Sequence, residues 1–157
     1  MSWSRRAALA GLGGVAACGF APAYGPGADG GGASRFRDAI RAQAPRDDAA
    51  FAFVARIEDR LGRAAVPRYG LAYGIATGVV GLAIDESDNI VRFNVEGTLD
   101  WTLREGDAVA ASGRETAFVG YDAGESGIST VEARRDATRR LMTILADRVV
   151  SRLLAPA

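Results

Sequence analysis

Residues 90–104, IVRFNVEGTLDWTLR, decide the fold. Val91, Phe93, Val95, Leu99, Trp101 and Leu103 alternate with Arg92, Asn94, Glu96, Thr98, Asp100, Thr102 and Arg104. A period of two is that of a β-strand, and a clean apolar/polar alternation means one face buried and one wet, as in an antiparallel sheet. Glu105-Gly106-Asp107 reads as a turn, and Val109–Tyr121 returns as the next strand.

Upstream, residues 69–84 read as a partner strand. Tyr69, Leu71, Tyr73, Ile75 and Val79 hold odd positions, and from Val80 the bulky set moves to Leu82 and Ile84. That switch of parity predicts a β-bulge or change of face near Gly78–Gly81. Arg35–Ala44 puts Phe36, Ile40 and Ala42 on one side and Arg35, Arg37, Arg41 and Gln43 on the other, a further strand pattern. Between these, Asp47 or Asp48 can cap a helix over about 48–61, where Ala50, Val54, Ile57 and Leu61 fall at helical spacing beside Phe51 and Phe53. Gly62 suits its left-handed end, and Pro67 bars continuation. A last helix is expected from Ser129, with Ser129-Thr130-Val131-Glu132 as a capping box, to about Leu154. Its inward residues would be Ala137, Leu141, Ile144, Leu145 and Val149.

The order β-α-β-β-β-α predicts an α+β two-layer sandwich, two helices packed on one face of a four-stranded, mostly antiparallel sheet. Its expected core includes Val54, Ile57, Phe93, Val95, Leu99, Trp101, Leu141 and Ile144. No internal repeat is present.

The N-terminus carries a different message. Arg5 and Arg6 precede an 11-residue small, apolar stretch, Ala7–Ala17, followed by Cys18. This is the layout of a secretory signal, and it is too short for the roughly 20 residues of a membrane-spanning helix. Val15-Ala16-Ala17-Cys18 resembles a bacterial lipobox, which makes Cys18 the expected lipidation site and first residue of the mature chain. The plainer alternative is a small buried hydrophobe. Gly11-Leu12-Gly13-Gly14-Val15-Ala16 matches a dinucleotide-binding pattern, but no strand can precede it within ten residues. Ser4-Arg5-Arg6 leaves open whether export uses the general or the twin-arginine route. The expected organisation is therefore a signal peptide over 1–17, an acylated Gly/Pro-rich tether over 18–33 and a folded domain over 34–157.

Composition narrows the chemistry. All 19 basic residues are Arg, against 19 acids, with no Lys and no His. The balance argues against a nucleic-acid binder. The missing His removes Ser-His and Cys-His nucleophile pairs and His-ligated zinc. Ser126 does not stand in a G-x-S-x-G turn, since Gly127 follows it directly. No catalytic residue, metal site or cofactor is expected, and the chain reads as a non-enzyme.

Cys18-Gly19-Phe20-Ala21-Pro22-Ala23-Tyr24-Gly25 resembles the C-G-F-x-P-L-Y-G opening of the lipopolysaccharide-assembly lipoprotein family, LptE, in its α-proteobacterial form. Gly81-Leu82-Ala83-Ile84, the segment Tyr121-Asp122 to Ser129, and Glu132-Ala133-Arg134-Arg135-Asp136-Ala137 are similar as well, in the same order and spacing. The resemblance implies an outer-membrane lipoprotein, facing the periplasm, that binds lipopolysaccharide (LPS) and acts as plug and assembly factor of the LptD-type translocon barrel. Gly19, where Asp would retain a lipoprotein in the inner membrane, agrees with the outer membrane. In relatives, basic side chains of sheet-edge loops are thought to contact LPS. Here those loops read Asp85-Glu86-Ser87-Asp88 and Gly124-Glu125-Ser126-Gly127, so no contact residue carries over. The competing function is a generic lipoprotein adaptor, such as a secretin pilot.

Charge distribution supplies candidates instead. Residues 69–130 hold three Arg against ten acids, whereas 34–68 hold eight against five and 131–157 six against three. Arg92, Arg134, Arg135, Arg139 and Arg140 are the candidate contacts for LPS or barrel, because guanidinium forks suit lipid A phosphates. The helix arginines also read as a solvated face with internal pairs such as Asp136 with Arg140.

Overall fold

The computed structural model describes residues 35–84, 90–123 and 126–155. The signal, Cys18, the tether and the acidic loop 85–88 lie outside the described residues. Six elements follow in order: β1 (Ile40–Ala42), α1 (Asp48–Leu61), β2 (Tyr69–Ile84), β3 (Ile90–Glu105), β4 (Ala108–Asp122) and α2 (Gly127–Leu154). The sheet runs β1-β2-β3-β4, with β1 parallel to β2 and the other pairs antiparallel. Both helices pack on one face, the two-layer α+β sandwich expected from the sequence.

The alternation in β3 is realised from Phe93 onward, whereas Val91, at the start of the strand, is exposed. Val95, Leu99, Trp101 and Leu103 are buried and Phe93 half-buried, while Arg92, Glu96, Asp100 and Arg104 are exposed. Phe53 and Ile57 carry α1 onto the sheet, with the Phe53 ring 4.9 Å from that of Tyr73. At the far end Phe93 and Tyr121 stack across β3 and β4 at 5.2 Å.

Four expectations need correction. The first strand is confined to Ile40–Ala42; Arg35 and Phe36 are helical and Arg37–Ala39 form a turn. The cause is a dock between that turn and the end of α1. Asp38 adopts φ 52°, its N–H donates to Leu61 O at 2.7 Å, and its carboxylate fills the space beside Gly62, whose φ is 82°. Phe36 stays buried, edge-on to Tyr69. Second, the β2 irregularity falls at Leu82, where the register against β3 shifts between Gly81, Ala83 and Ile84.

Third, α2 begins one turn early. Ser126, not Ser129, is the cap: its Oγ accepts from Ser129 N–H at 3.2 Å while Ser129 Oγ accepts from Ser126 N–H at 3.1 Å. Ser126 and Ser129 have the capping-box spacing themselves, and Glu132 pairs with Arg135 instead. Fourth, Ile144 is 37% exposed. Helix α2 packs against α1 as well as the sheet, so its buried arc is rotated to Leu141, Met142, Leu145, Ala146, Val149, Val150 and Leu153, leaving Ile144 at the border.

One close approach fixes the layer spacing. A Cβ on Gly97 would lie 2.9 Å from Leu141 Cδ2 and 3.2 Å from Leu145 Cδ1. The glycine in the middle of β3 is where α2 presses onto the sheet. Among the described residues no helix is long and apolar enough to cross a membrane.

Candidate functional site

Where the first turn of α1 faces the N-terminal half of α2, the two helices and β2 enclose an open groove of about 760 Å³. One wall is Asp47, Asp48, Phe51 and Ala52; the other is Arg134, Arg135, Thr138 and Arg139, and Thr77 of β2 also lines it. Further along, an ion-pair clamp ties the two helices together. Asp147 of α2 accepts from Arg56 Nε and Nη2, both at 3.1 Å, and from Arg60 Nη1 at 2.7 Å. The hydrogen bond to Asp147 also raises the Arg56 pKa above its ordinary value.

The arginines of the groove are not equivalent. Arg135 Nη1 lies 2.6 Å from Glu132, and Arg139 Nη2 lies 3.3 Å from Asp136, both partners on their own helix. Arg134 has no carboxylate partner among the described residues, and its guanidinium is the cation the groove offers to a ligand. On the opposite wall Asp47 is engaged as the α1 cap, accepting from Ala50 N–H at 2.8 Å. Phe51 is 66% exposed, a large apolar ring facing solvent beside that charge. The groove can therefore hold an amphiphilic anion, with phosphate at Arg134 and hydrocarbon on Phe51 and Ala52.

The structure thus brings together Arg134, Arg135 and Arg139. Arg140 stays on α2 outside the groove, paired with Asp136 at 3.0 Å. Arg92 lies on the helix-free face of the sheet, where its Nε donates to its register neighbour Asp122 at 2.8 Å, a contact that raises its pKa further. Cys18 lies outside the described residues. Sequence reasoning missed two features. Phe51 stands beside the helical pattern in sequence with nothing to separate it from Phe53, yet it is exposed on a different side of α1 from the buried Phe53. The Asp147 clamp joins residues 91 positions apart, which no local pattern announces.

Comparison with known proteins decides the family. The family model for LptE, lipopolysaccharide-assembly, matches residues 33–153. The chain belongs to the LptE family. No curated protein sequence matches it. Among solved structures, a lipoprotein from Caulobacter crescentus CB15 is similar with a TM-score of 0.64 at 19% identity, over 78% of this chain and 93% of that one. Rare lipoprotein B from Shewanella oneidensis is similar with a TM-score of 0.55 at 9% identity, over 73% of this chain and 91% of that one. Lipoprotein B from Nitrosomonas europaea follows at 0.50 and 12% identity, over 74% and 80%. At these identities the likeness shows the fold, and the LptE fold is the one described above. Membership of a lipopolysaccharide-assembly family assigns the chain a part in building the envelope.

Proposed function

We propose that this LptE-family chain is an outer-membrane lipoprotein, anchored through Cys18 and facing the periplasm, that binds LPS and works as plug and assembly factor of an LptD-type barrel without catalytic turnover. The observation that carries the reading is the groove, in which an arginine without a carboxylate partner among the described residues lies on the wall opposite an exposed phenylalanine. A lipid A phosphate would take the Arg134 fork, and acyl methylenes would cover Phe51. The helix-free sheet face supports the plug role. It carries Asn94, Glu96, Thr98, Asp100, Thr102, Thr116 and Arg114, a polar surface suited to a wet barrel lumen. A lipid anchor would keep the domain at high effective concentration beside the barrel, so that single contacts need not be strong.

The test is binding of purified lipid A to the full chain and to Arg134→Gln and Phe51→Ser. Each variant is expected to weaken binding about ten-fold, the worth of one charge-assisted contact or one buried ring edge. Unchanged affinity in both would remove the groove from the mechanism. Co-purification of a large β-barrel supports the translocon role, and capture of a secretin ring would transfer it to the adaptor class.

A further inference from the structure

On the helix-free face of the sheet, away from the groove, three arginines share a depression of about 570 Å³. Arg41 of β1, Gly70 of β2 and Arg104 of β3 stand in one cross-strand row. Their sequence neighbours Ile40, Leu71 and Leu103 are buried under the helices, so the alternation turns all three outward. Arg41 and Arg104 are two strand spacings apart, roughly 10 Å. Gly70 leaves the gap between them open: a Cβ there would meet nothing within 4 Å. Arg68, two residues before Gly70 on the same side, forms a third wall, and Ala72 continues the shallow floor.

The partners of these cations are unusual. Arg41 Nη2 donates to Ala64 O at 3.4 Å, and Arg104 Nη1 donates to Asp107 O at 3.2 Å. Both acceptors are neutral main-chain carbonyls, and neither arginine has a carboxylate within ion-pair distance among the described residues. Only Arg68 meets one, Glu105 Oε1 at 2.7 Å. Three positive charges therefore face one negative charge around an empty glycine floor. Like charges so placed repel one another, and an anion seated between them turns that repulsion into attraction. Guanidinium forks match tetrahedral phosphate oxygens, which can accept from several arginines at once.

We infer that this depression is a phosphate-binding site, taking a phosphodiester or phosphate group between Arg41 and Arg104 over Gly70. The phosphate can come from a glycerophospholipid headgroup or from free inorganic phosphate. The chain enters the fold at this end, where Arg35 Nε donates to Tyr69 OH beside Arg68. On the anchor reading proposed above, a lipid surface lies on that side; the phosphate site itself stands without it.

The experiment uses the full chain in neutral detergent micelles, with the Nε–H resonances of its arginines followed by NMR. One arm adds phosphatidylglycerol to the micelles, and the other adds inorganic phosphate. Saturable shifts at Arg41, Arg68 and Arg104 are expected, and the Arg68 resonance, which survives in Arg41→Gln/Arg104→Gln, is expected to report an affinity about twenty-five-fold lower there, on the order of five-fold per arginine. Gly70→Glu, whose Cβ would meet nothing within 4 Å and which puts a carboxylate on the floor, is expected to abolish the shifts while leaving the fold intact by circular dichroism. Arg134→Gln, in the groove, is expected to change nothing here, which separates this site from the lipid A reading. Shifts from phosphatidylglycerol alone name the headgroup as the source, and shifts from both ligands name any accessible phosphate. Absence of shifts in both arms, or equal affinity in the double variant, overturns the inference.

Discussion

At the scale of single residues, Trp101 shows how a buried aromatic is seated. Its ring lies over Gly113, where a Cβ would come within 3.0 Å of three ring atoms, and its exposure is 4%. Its Nε1 is buried with no hydrogen-bond partner among the described residues. The ring contributes through apolar burial, and the orphaned N–H subtracts from that gain. Trp101→Ala is expected to cost about 3–5 kcal/mol. Trp101→Phe removes the unpaired donor with part of the volume and is expected to cost less than half as much. Denaturant midpoints at constant slope measure both, and equal losses in the two variants would mean that the N–H is satisfied in solution. Gly113 itself carried no signal in the sequence, since only the cross-strand register reveals what lies above it.

At the scale of elements, the contact between α2 and β3 is set by Gly97. Adding one methyl there pushes into Leu141 and Leu145, both fully buried. Gly97→Ala is expected to destabilise by about 1–3 kcal/mol, as overpacking does in a close-packed interior. A thermal melt that is unchanged or raised would show that the helix can lift without loss. On the outer face the β3–β4 pair is tied by Asp100 and Arg114, register neighbours with contacts of 2.6 and 3.1 Å. The Arg114 hydrogen bonds hold the Asp100 carboxyl below its ordinary value of 3.8. A carboxylate depressed on folding contributes stability that is present above pH 3.8 and lost as pH falls through the lower folded value. Asp100→Asn is therefore expected to flatten the stability profile only below about pH 4. A carboxyl resonance for Asp100 that titrates at or above 3.8 contradicts the pairing.

For the whole molecule, the two faces divide the work. The helix face holds the core and the groove, and the opposite sheet face is polar apart from exposed Val80, Val109 and Phe118 and the small residues of β2. The proposed anchor, Cys18, precedes the described residues in the sequence. Two or more acyl chains hold a protein stably where one does not, because each buried methylene contributes about 0.8 kcal/mol. Cys18→Ala is expected to block lipidation and either free the domain or leave the signal uncut. Metabolic labelling with a tagged fatty acid reads this directly, and label retained by the variant would sink the anchor assignment. Depletion of the protein is expected to lower surface LPS together with correctly assembled barrel.

The fold was legible in the sequence wherever one period ran long enough. The thirteen alternating residues within 91–104 and the stretch 48–61 specify a strand and a helix, because each buries one face and no other geometry places those apolar groups together. The family, too, was legible, in short motifs whose order repeats that of known relatives. Tertiary structure decided the rest. Asp38 docking on the end of α1 cut the first strand to three residues, and α1 packing on α2 rotated the buried arc past Ile144. The sites were least legible. Arg134 looks like its three helix neighbours in sequence, yet only the fold shows which arginines find acids and which faces Phe51. Arg41 and Arg104 are 63 positions apart and become neighbours only through Gly70 between them. A period reports what one element buries; what two elements place opposite each other depends on register and packing, which no single segment contains.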